Sequence, residues 1–489
     1  GEDSLIMPGF NDGHQHLRMI IGTHHGVPLR YLTSEEACIA SAVQWEKEHP
    51  EYQWVYGMGW QYTQWENQAP PNNEKLNEAF PNKPVCLLDV DAHAAWLNDC
   101  ALKEVGITKE APDPPNSVIT RYPDGTPTGY VQEEIVVDIS SYALSFMETD
   151  TNIMKRNLKA LLQECNQFGL TGVSEMLTSK PEWLDIYEYM SAKGELTCQI
   201  NITQDFWSDD YLEAAARLKQ RFAQRDADIS FYAIKCFLDG VGIGYTGWQL
   251  HPYHDRPDWY GEPIMPEEKL RKKILDAIAS GQHVHLHACG DKSVRKALDW
   301  WEESLAAGKT KPGQRYAITH NDTVDPADIP RFTQLGVIAS MQPDMLAPCL
   351  KWEDNLYPQR YGPELCKTAW PCRSFIDAGA ILAFSTDSPV GLIDPMYNVY
   401  RSVTRLHADG KPAGGFIPEQ KISLANALWA YTYGSAYQLG QEDFLGTLEV
   451  GKRADIAVLD KNLFAADPEA YMGTKAKLTL FRGNVVYEK

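Results

Sequence analysis

The run MPGFNDGHQH at residues 7–16 sets two imidazoles, His14 and His16, two positions apart directly after a short apolar stretch. In an extended chain residues i and i+2 point to the same side, so both rings can reach one metal ion, and imidazole is a good zinc ligand. Alone, the pair fits two turn histidines with no metal equally well. It gains weight from four further donors, Lys235, His287, His320 and Asp387, each toward the tail of its own apolar, strand-like run.

What must position these groups is a series of strand-length apolar runs alternating with helix-like segments, the pattern of βα units around a parallel sheet. The runs are LIMPGF (5–10), GLTGVSEM (169–176), TCQINIT (197–203), FYAIKCFL (231–238), HVHLHA (283–288), YAITHN (316–321), VIASMQ (337–342) and ILAFSTD (381–387). They number eight, as a (β/α)8 TIM barrel requires. Between them, stretches such as EEKLRKKILDAIAS (267–280) and SVRKALDWWEESLAA (293–307) repeat apolar residues every three or four positions. In a TIM barrel the carboxyl ends of the strands line one mouth, so all six donors are expected to converge there from strands one, four, five, six and eight. Six donors exceed the four of one tetrahedral zinc. Either two divalent ions bind, or one binds and some of the six serve as acid, base or support.

The stretch from about residue 24 to 150 is too long for a βα connection. It predicts an insertion subdomain, residues 25–149, over the barrel mouth. Strands are expected at WVYGMGW (54–60) and VCLLDV (85–90), and an extended loop or hairpin at the proline-rich APDPPNSVITRYPDGTPTG (111–129). The barrel then takes residues 5–24 and 150–438. Residues 1–4 and 439–489 are expected to form a small β-sandwich-like appendage.

Of 489 residues 44% are hydrophobic, with 14 Trp and 24 Tyr, enough apolar surface for an ordered core. A net charge of −21 repels phosphate backbones and anionic bilayers, so neither nucleic acid nor a membrane surface is an expected partner. A small organic substrate fits, and a homodimer is compatible with this composition. The ten cysteines are scattered without a CxxC pair and are expected to be reduced and mostly buried. No run approaches the roughly 20 apolar residues of a membrane span, and GEDSLIMPGF lacks signal-peptide features. A cytoplasmic protein is expected, although the first run is already strand-like and leaves an upstream export signal open.

Together the motifs resemble the amidohydrolase superfamily, and within it the amidohydrolase-3, YtcJ-like group of metal-dependent hydrolases. The resemblance rests on MPGFNDGHQH, DAHAAWLN (91–98), IKCFLDG (234–240), VHLHACGD (284–291), ITHNDTVDPADIPRFTQLGVIASMQP (318–343), FSTDSPV (384–390) and LEVGKRADIAVLD (448–460), in the family's order along essentially the whole chain. It implies His14 and His16 as ligands from strand one, Lys235 as a carboxylated bridging ligand, and His287 and His320 as further ligands. Asp387 becomes the strand-eight ligand and proton shuttle. The implied cofactor is a divalent metal, zinc foremost, and the implied activity is hydrolysis of an amide-type, non-peptide C–N bond. Two departures stand out: the segment before HxH that supplies half of the small β domain in such proteins is not in this sequence, and Thr319 replaces a frequently acidic residue.

Several residues keep two readings at this level. His283, His285 and His287 alternate along one run, and only His287 ends it, so His285 reads as a supporting ring. Lys235 could instead be a buried lysine paired with Asp239. His93 either hydrogen-bonds a substrate carbonyl or its oxyanion, with Trp96 beside it, or is structural. His251 and His254 read as shaping the mouth. A sugar-acting barrel using Glu133, Glu134 or Glu175 leaves the ordered His/Asp set without purpose. A metal-stabilised binding or regulatory protein is the non-enzymatic alternative.

Overall fold

In chain order the strands are β1 (Leu5–Pro8), β2 (Phe10–Asn11), β3 (Val27–Pro28), β4 (Val55–Trp60), β5 (Val85–Asp89), β6 (Ala94–Leu97), β7 (Ser117–Arg121), β8 (Pro127–Glu133), β9 (Leu170–Glu175), β10 (Gln199–Asp205), β11 (Ile229–Phe237), β12 (His283–Ala288), β13 (Tyr316–His320), β14 (Ile338–Met341), β15 (Leu382–Phe384), β16 (Ile456–Leu459), β17 (Ala476–Phe481) and β18 (Asn484–Glu488). The computed structural model describes residues 3–489 apart from 115, 116, 149, 178, 179, 348 and 350. Two of these, 115 and 116, belong to the proline-rich stretch, and that part of the expected loop lies outside the described residues.

Each of the eight apolar runs contributes one strand to a single parallel sheet, ordered β2-β9-β10-β11-β12-β13-β14-β15. Its strands are buried on both faces, as in β9, β13 and β14, which explains runs that are nearly continuously apolar instead of alternating. The sheet curls until its two outer strands meet beyond their carboxyl ends. There the Asp387 N–H donates to the His14 carbonyl (2.8 Å) and the His16 N–H to the Ser388 carbonyl (2.9 Å).

The first run is divided between two sheets and does not form the one barrel strand expected of residues 5–10. β1 pairs antiparallel with β16, whereas β2 pairs in parallel with β9. The change happens at Gly9, where a Cβ would lie 2.3 Å from Thr171 Oγ1 and 2.5 Å from its Cγ2. Only a residue without a side chain passes so close to β9. The chain-terminal appendage is one four-stranded antiparallel sheet, β1-β16-β17-β18, not a sandwich. Four strands make one layer, and its buried face, with Ala457, Leu459 and Thr479, needs no second sheet because β17 packs on β9 and Thr479 Oγ1 donates to the Asn166 carbonyl (2.7 Å).

The chain divides into two compact units, Gly1–Leu17 with Lys155–Lys489, and Arg18–Met154. The divisions fall at 17/18 and 154/155, where 24/25 and 149/150 were expected. The earlier start has a steric cause: Gly22, on the helix Leu17–His25, fits so closely that a Cβ would meet Leu144 at 2.4 Å and Tyr56 at 3.2 Å. Within this unit β3 to β8 form a six-stranded mixed sheet ordered β3-β4-β5-β6-β8-β7, with β4 and β5 at the strands expected from the sequence. β7 and β8 form the expected hairpin around Tyr122–Thr126. Trp54, Trp60 and Trp96 are fully buried in its core. All ten cysteines are free, nine of them buried. Among the described residues no helix is long and apolar enough to cross a membrane.

Substituting Gly9→Ala is expected to destabilise the larger unit by about 1–3 kcal/mol through overpacking against Thr171. Calorimetric melting reads this as a lower Tm, and adding Thr171→Ala should restore part of it. A Gly9→Ala protein as stable as the parent would show that the close approach is not a constraint.

Candidate metal centre

Two of the six donors are delivered by a loop and not by strand alternation. β2 ends at Asn11, and the Asp12 carboxylate organises the turn that follows. Its Oδ1 accepts the His14 N–H (3.2 Å), its Oδ2 accepts from Gln15 Nε2 (2.8 Å) and Thr386 Oγ1 (2.6 Å), and the Thr386 N–H reaches both oxygens at 3.1 Å. Burial pushes Asp12 up to about 7 against these bonds. The sequence reading missed Asp12, although an Asp two positions before a histidine is a recognisable turn-former.

The loop brings both rings to Asp387, with Nε2 of His14 and of His16 each 3.1 Å from Oδ1. Nδ1 of His320 is 4.0 Å from Oδ2, and Lys235 Nζ is 3.2 Å from His14 Nε2. The His287 ring meets His320 edge to face, with centroids 4.3 Å apart. All six donors therefore share one cluster, drawn from the ends of β2, β11, β12, β13 and β15. His320 and Asp387 have left-handed backbones (φ 76° and 55°), which end the strands at a cost of about 1–3 kcal/mol each.

Around the donors, other groups fix their orientation. His14 Nδ1 lies 2.8 Å from His285 Nε2, and His285 Nδ1 lies 3.0 Å from the Tyr232 hydroxyl. His285 thus sits one layer below the cluster, whereas His283 is at the start of β12, where its Nδ1 accepts the Arg315 N–H (2.8 Å). Thr319 Oγ1 is 3.3 Å from His14 Nδ1 and accepts from Gln342 (3.1 Å). His287 Nε2 donates to the Gly240 carbonyl (3.1 Å), which makes Nδ1 the basic nitrogen of that ring. Asp239 accepts the N–H groups of Trp248 and Gly290 (both 2.8 Å) and Cys289 (3.0 Å), and among the described residues no ion pair joins it to Lys235. The Phe237 ring instead lies beneath Lys235, 4.7 Å from Nζ, and stacks on Trp207.

Burial dominates the electrostatics. It pulls His14 down to about 3, with the Lys235 charge adding to the effect, and it holds His285 and His320 well below the usual imidazole value. Lys235 falls to about 7 for the same reason. Burial works to raise Asp387, but the facing His14, His16 and His320 rings outweigh it and keep the carboxyl well below its usual range. At neutral pH His14 and His320 are thus neutral imidazoles beside an Asp387 carboxylate. Asp387 Oδ1 and His16 Nδ1 are buried and make no hydrogen bond among the described residues. Such groups are costly to bury unless a cation repays them, and the donor atoms of His14, His16 and Asp387 all lie within 4.8 Å of one another. The residues fit a divalent metal.

His93 belongs to the other unit, where Nδ1 lies 2.9 Å from Glu133 Oε2. Glu133, one of the carboxylates a sugar-acting site would need, is spent on this contact. Trp96 is a core residue, its Nε1 donating to the Asn72 carbonyl (2.7 Å). In the loop after β11 the His254 N–H donates to the Arg360 carbonyl (2.7 Å), and the Tyr245 ring lies 3.5 Å from the Arg256 guanidinium and 3.9 Å from that of Arg360.

The sequence model of the amidohydrolase family matches residues 2–487. The chain is 28% identical over 497 residues to YtcJ of Bacillus subtilis (strain 168), spanning 99% of this chain and 89% of that protein. It is 24% identical to the N-substituted formamide deformylase of Arthrobacter pascens, spanning 94% and 83%. A crystal structure of a metal-dependent hydrolase from Pyrococcus horikoshii OT3 superposes with a TM-score of 0.72 at 24% identity, covering 95% of this chain and 87% of that one, and so has the same fold. A family match of this extent, on a curled parallel sheet with its donors gathered at one end, means that the chain belongs to the amidohydrolase family and is a hydrolase.

Proposed function

We propose that this protein hydrolyses an amide-type, non-peptide C–N bond in a small organic substrate, using a divalent metal, zinc foremost, held at the Asp387 cluster. The observation that carries the reading is the convergence of His14, His16, Lys235, His287, His320 and Asp387 on one buried cluster. The relative named as an N-substituted formamide deformylase supports the bond type, and the structural relative described as a metal-dependent hydrolase supports the cofactor. In this reading the curled sheet is the closed (β/α)8 barrel of the family.

His14, His16 and Asp387 would hold one ion, and carboxylated Lys235, His287 and His320 a second. A lysine lowered to about 7 is partly neutral at physiological pH, so its Nζ lone pair can form an N–C bond to carbon dioxide, releasing a proton to give an anionic carbamate. When bound, the ion lowers the pKa of its water toward about 7 and polarises the scissile carbonyl. Asp387, ionised at neutral pH, takes the water proton on its carboxylate and returns it to the departing nitrogen.

Asp387→Asn should lower kcat by about 10²–10⁴-fold on a panel of N-formyl and N-acyl amines, while plasma mass spectrometry finds most of the metal retained. Near-normal turnover would remove Asp387 from the proton-transfer role. His285→Phe takes away the partner of His14 Nδ1 and should weaken metal binding by about 10–100-fold in a chelator competition. An unchanged affinity would mean that the ring is only packing.

A further inference from the structure

We infer that Arg360 is a specificity-determining residue: its guanidinium receives a carboxylate carried by the substrate, so that the amides hydrolysed are N-acyl or N-formyl amino acids. The inference deepens the hydrolytic reading of the Asp387 cluster and rests on it. Arg360 lies on the helix Tyr357–Cys366, in the connection between β14 and β15, and is only 6% exposed. Its Nε is buried with no hydrogen-bond partner among the described residues, and no carboxylate among them forms an ion pair with it. A guanidinium does not shed its proton, so the buried charge persists and calls for an anion.

The loop after β11 holds Arg360 in place and ties it to the donor cluster within the larger unit. The His254 N–H donates to the Arg360 carbonyl, and the His254 ring fills the space beside Gly362, where a Cβ would lie 2.6 Å from its Cγ. The guanidinium itself lies against the Tyr245 ring, as does that of Arg256. Tyr245 has a left-handed backbone (φ 64°) in the run GVGIGYTG, where the four glycines would adopt that conformation without strain. One residue on, the Thr246 carbonyl accepts the Gly240 N–H (3.2 Å), and the Gly240 carbonyl is the partner of His287 Nε2. Tyr361, next to Arg360, reaches the same loop, since a Cβ on Gly242 would lie 1.7 Å from its hydroxyl. The loop that backs the arginine therefore also fixes the tautomer of a metal donor.

Charge selects the ligand. Among the described residues, the carboxylate bonded to this group is Asp255, whose Oδ2 accepts the Tyr245 hydroxyl (2.7 Å), and Arg256, like Arg360, has no ion pair. Two guanidinium charges against one carboxylate leave a single positive charge, which matches a monoanion and not a dianionic phosphate. A planar guanidinium fork fits the two oxygens of a carboxylate, and stacking on an aromatic ring leaves its N–H edges for them. In a chain of net charge −21 an anionic substrate is repelled at long range, so a local cation is needed to hold it.

The test offers the metal-loaded full chain N-acetyl and N-formyl amino acids beside the same amides without the carboxyl group, such as N-acetylphenylalanine beside N-acetylphenethylamine. The parent should favour the carboxylate members by about 10–100-fold in kcat/KM, the size expected of one charge-assisted contact. Arg360→Gln should bring that ratio close to one, while plasma mass spectrometry finds the metal retained. Arg360→Lys keeps the charge without the fork and should keep part of the preference, so a folding defect in the glutamine variant does not decide the outcome. Titration calorimetry in the metal-loaded Asp387→Asn background reads the contact without turnover: adding Arg360→Gln should weaken binding of N-acetylphenylalanine by about 10–100-fold. If the parent hydrolyses the neutral amides at least as well as the carboxylates, or if both variants keep the parent's ratio, the inference is overturned and the hydrolytic reading stands. If no amide of either kind is turned over, the hydrolytic reading has failed, and calorimetry on the metal-loaded parent decides Arg360 by itself. Equal binding with and without the guanidinium then overturns the carboxylate site, and weakened binding upholds it.

Discussion

Two backbone hydrogen bonds, from the Asp387 N–H to the His14 carbonyl and from the His16 N–H to the Ser388 carbonyl, are the constraint on which the site depends. They join the outer strands of the parallel sheet, and they do so through the residues that carry the donors. The meeting of the loops after the two outer strands and the assembly of the cluster are therefore one event. Asp12 reinforces it from below, since one buried carboxylate accepts N–H groups from both His14 and Thr386 and ties the loop after the first strand to the loop after the last. The bonds from Asp387 to His14, from His16 to Ser388 and from Thr386 to Asp12 each span more than 370 positions of the chain, so the site exists only once the whole sheet has formed.

Burial then sets the chemistry. In water the same side chains would include charged and neutral forms near pH 7. Inside the sheet, desolvation removes the protons from His14, His285 and His320 and brings Lys235 near neutrality, while the imidazoles keep Asp387 ionised. A cluster of lone pairs around a buried anion is unstable by itself and complementary to a dication. The supporting contacts follow the same logic: His285 orients His14, and the Gly240 carbonyl selects the tautomer of His287. The strained backbones of His320 and Asp387 are tolerated because the surrounding sheet over-determines them.

Much of the frame was legible in the residue pattern. Seven of the eight apolar runs form strands of one sheet and the first adds its last residues to it, since strands buried on both faces must be apolar throughout. The helix-like stretches at 267–280 and 293–307 correspond to the helices Glu267–Ala279 and Asp291–Ala306. The misreadings have physical reasons. LIMPGF reads as one strand because nothing in its hydropathy marks the change of partner, and only the contact between Gly9 and Thr171 reveals it. The HxH pair suggests a strand, whereas a turn built on Asp12 directs the rings. The start of the smaller unit moved because Gly22 packs against residues more than 30 and 120 positions away.

By itself the sequence determined the kinds of donor, their order, and the strand ends that carry them, because period and composition are local properties. Tertiary structure alone decided which donors touch, which nitrogen of the His287 ring is basic, and which carboxylate serves which histidine. The pairing of Glu133 with His93 and of His285 with His14 depends on desolvation and on contacts between distant segments. Neither quantity has a value until the chain has folded.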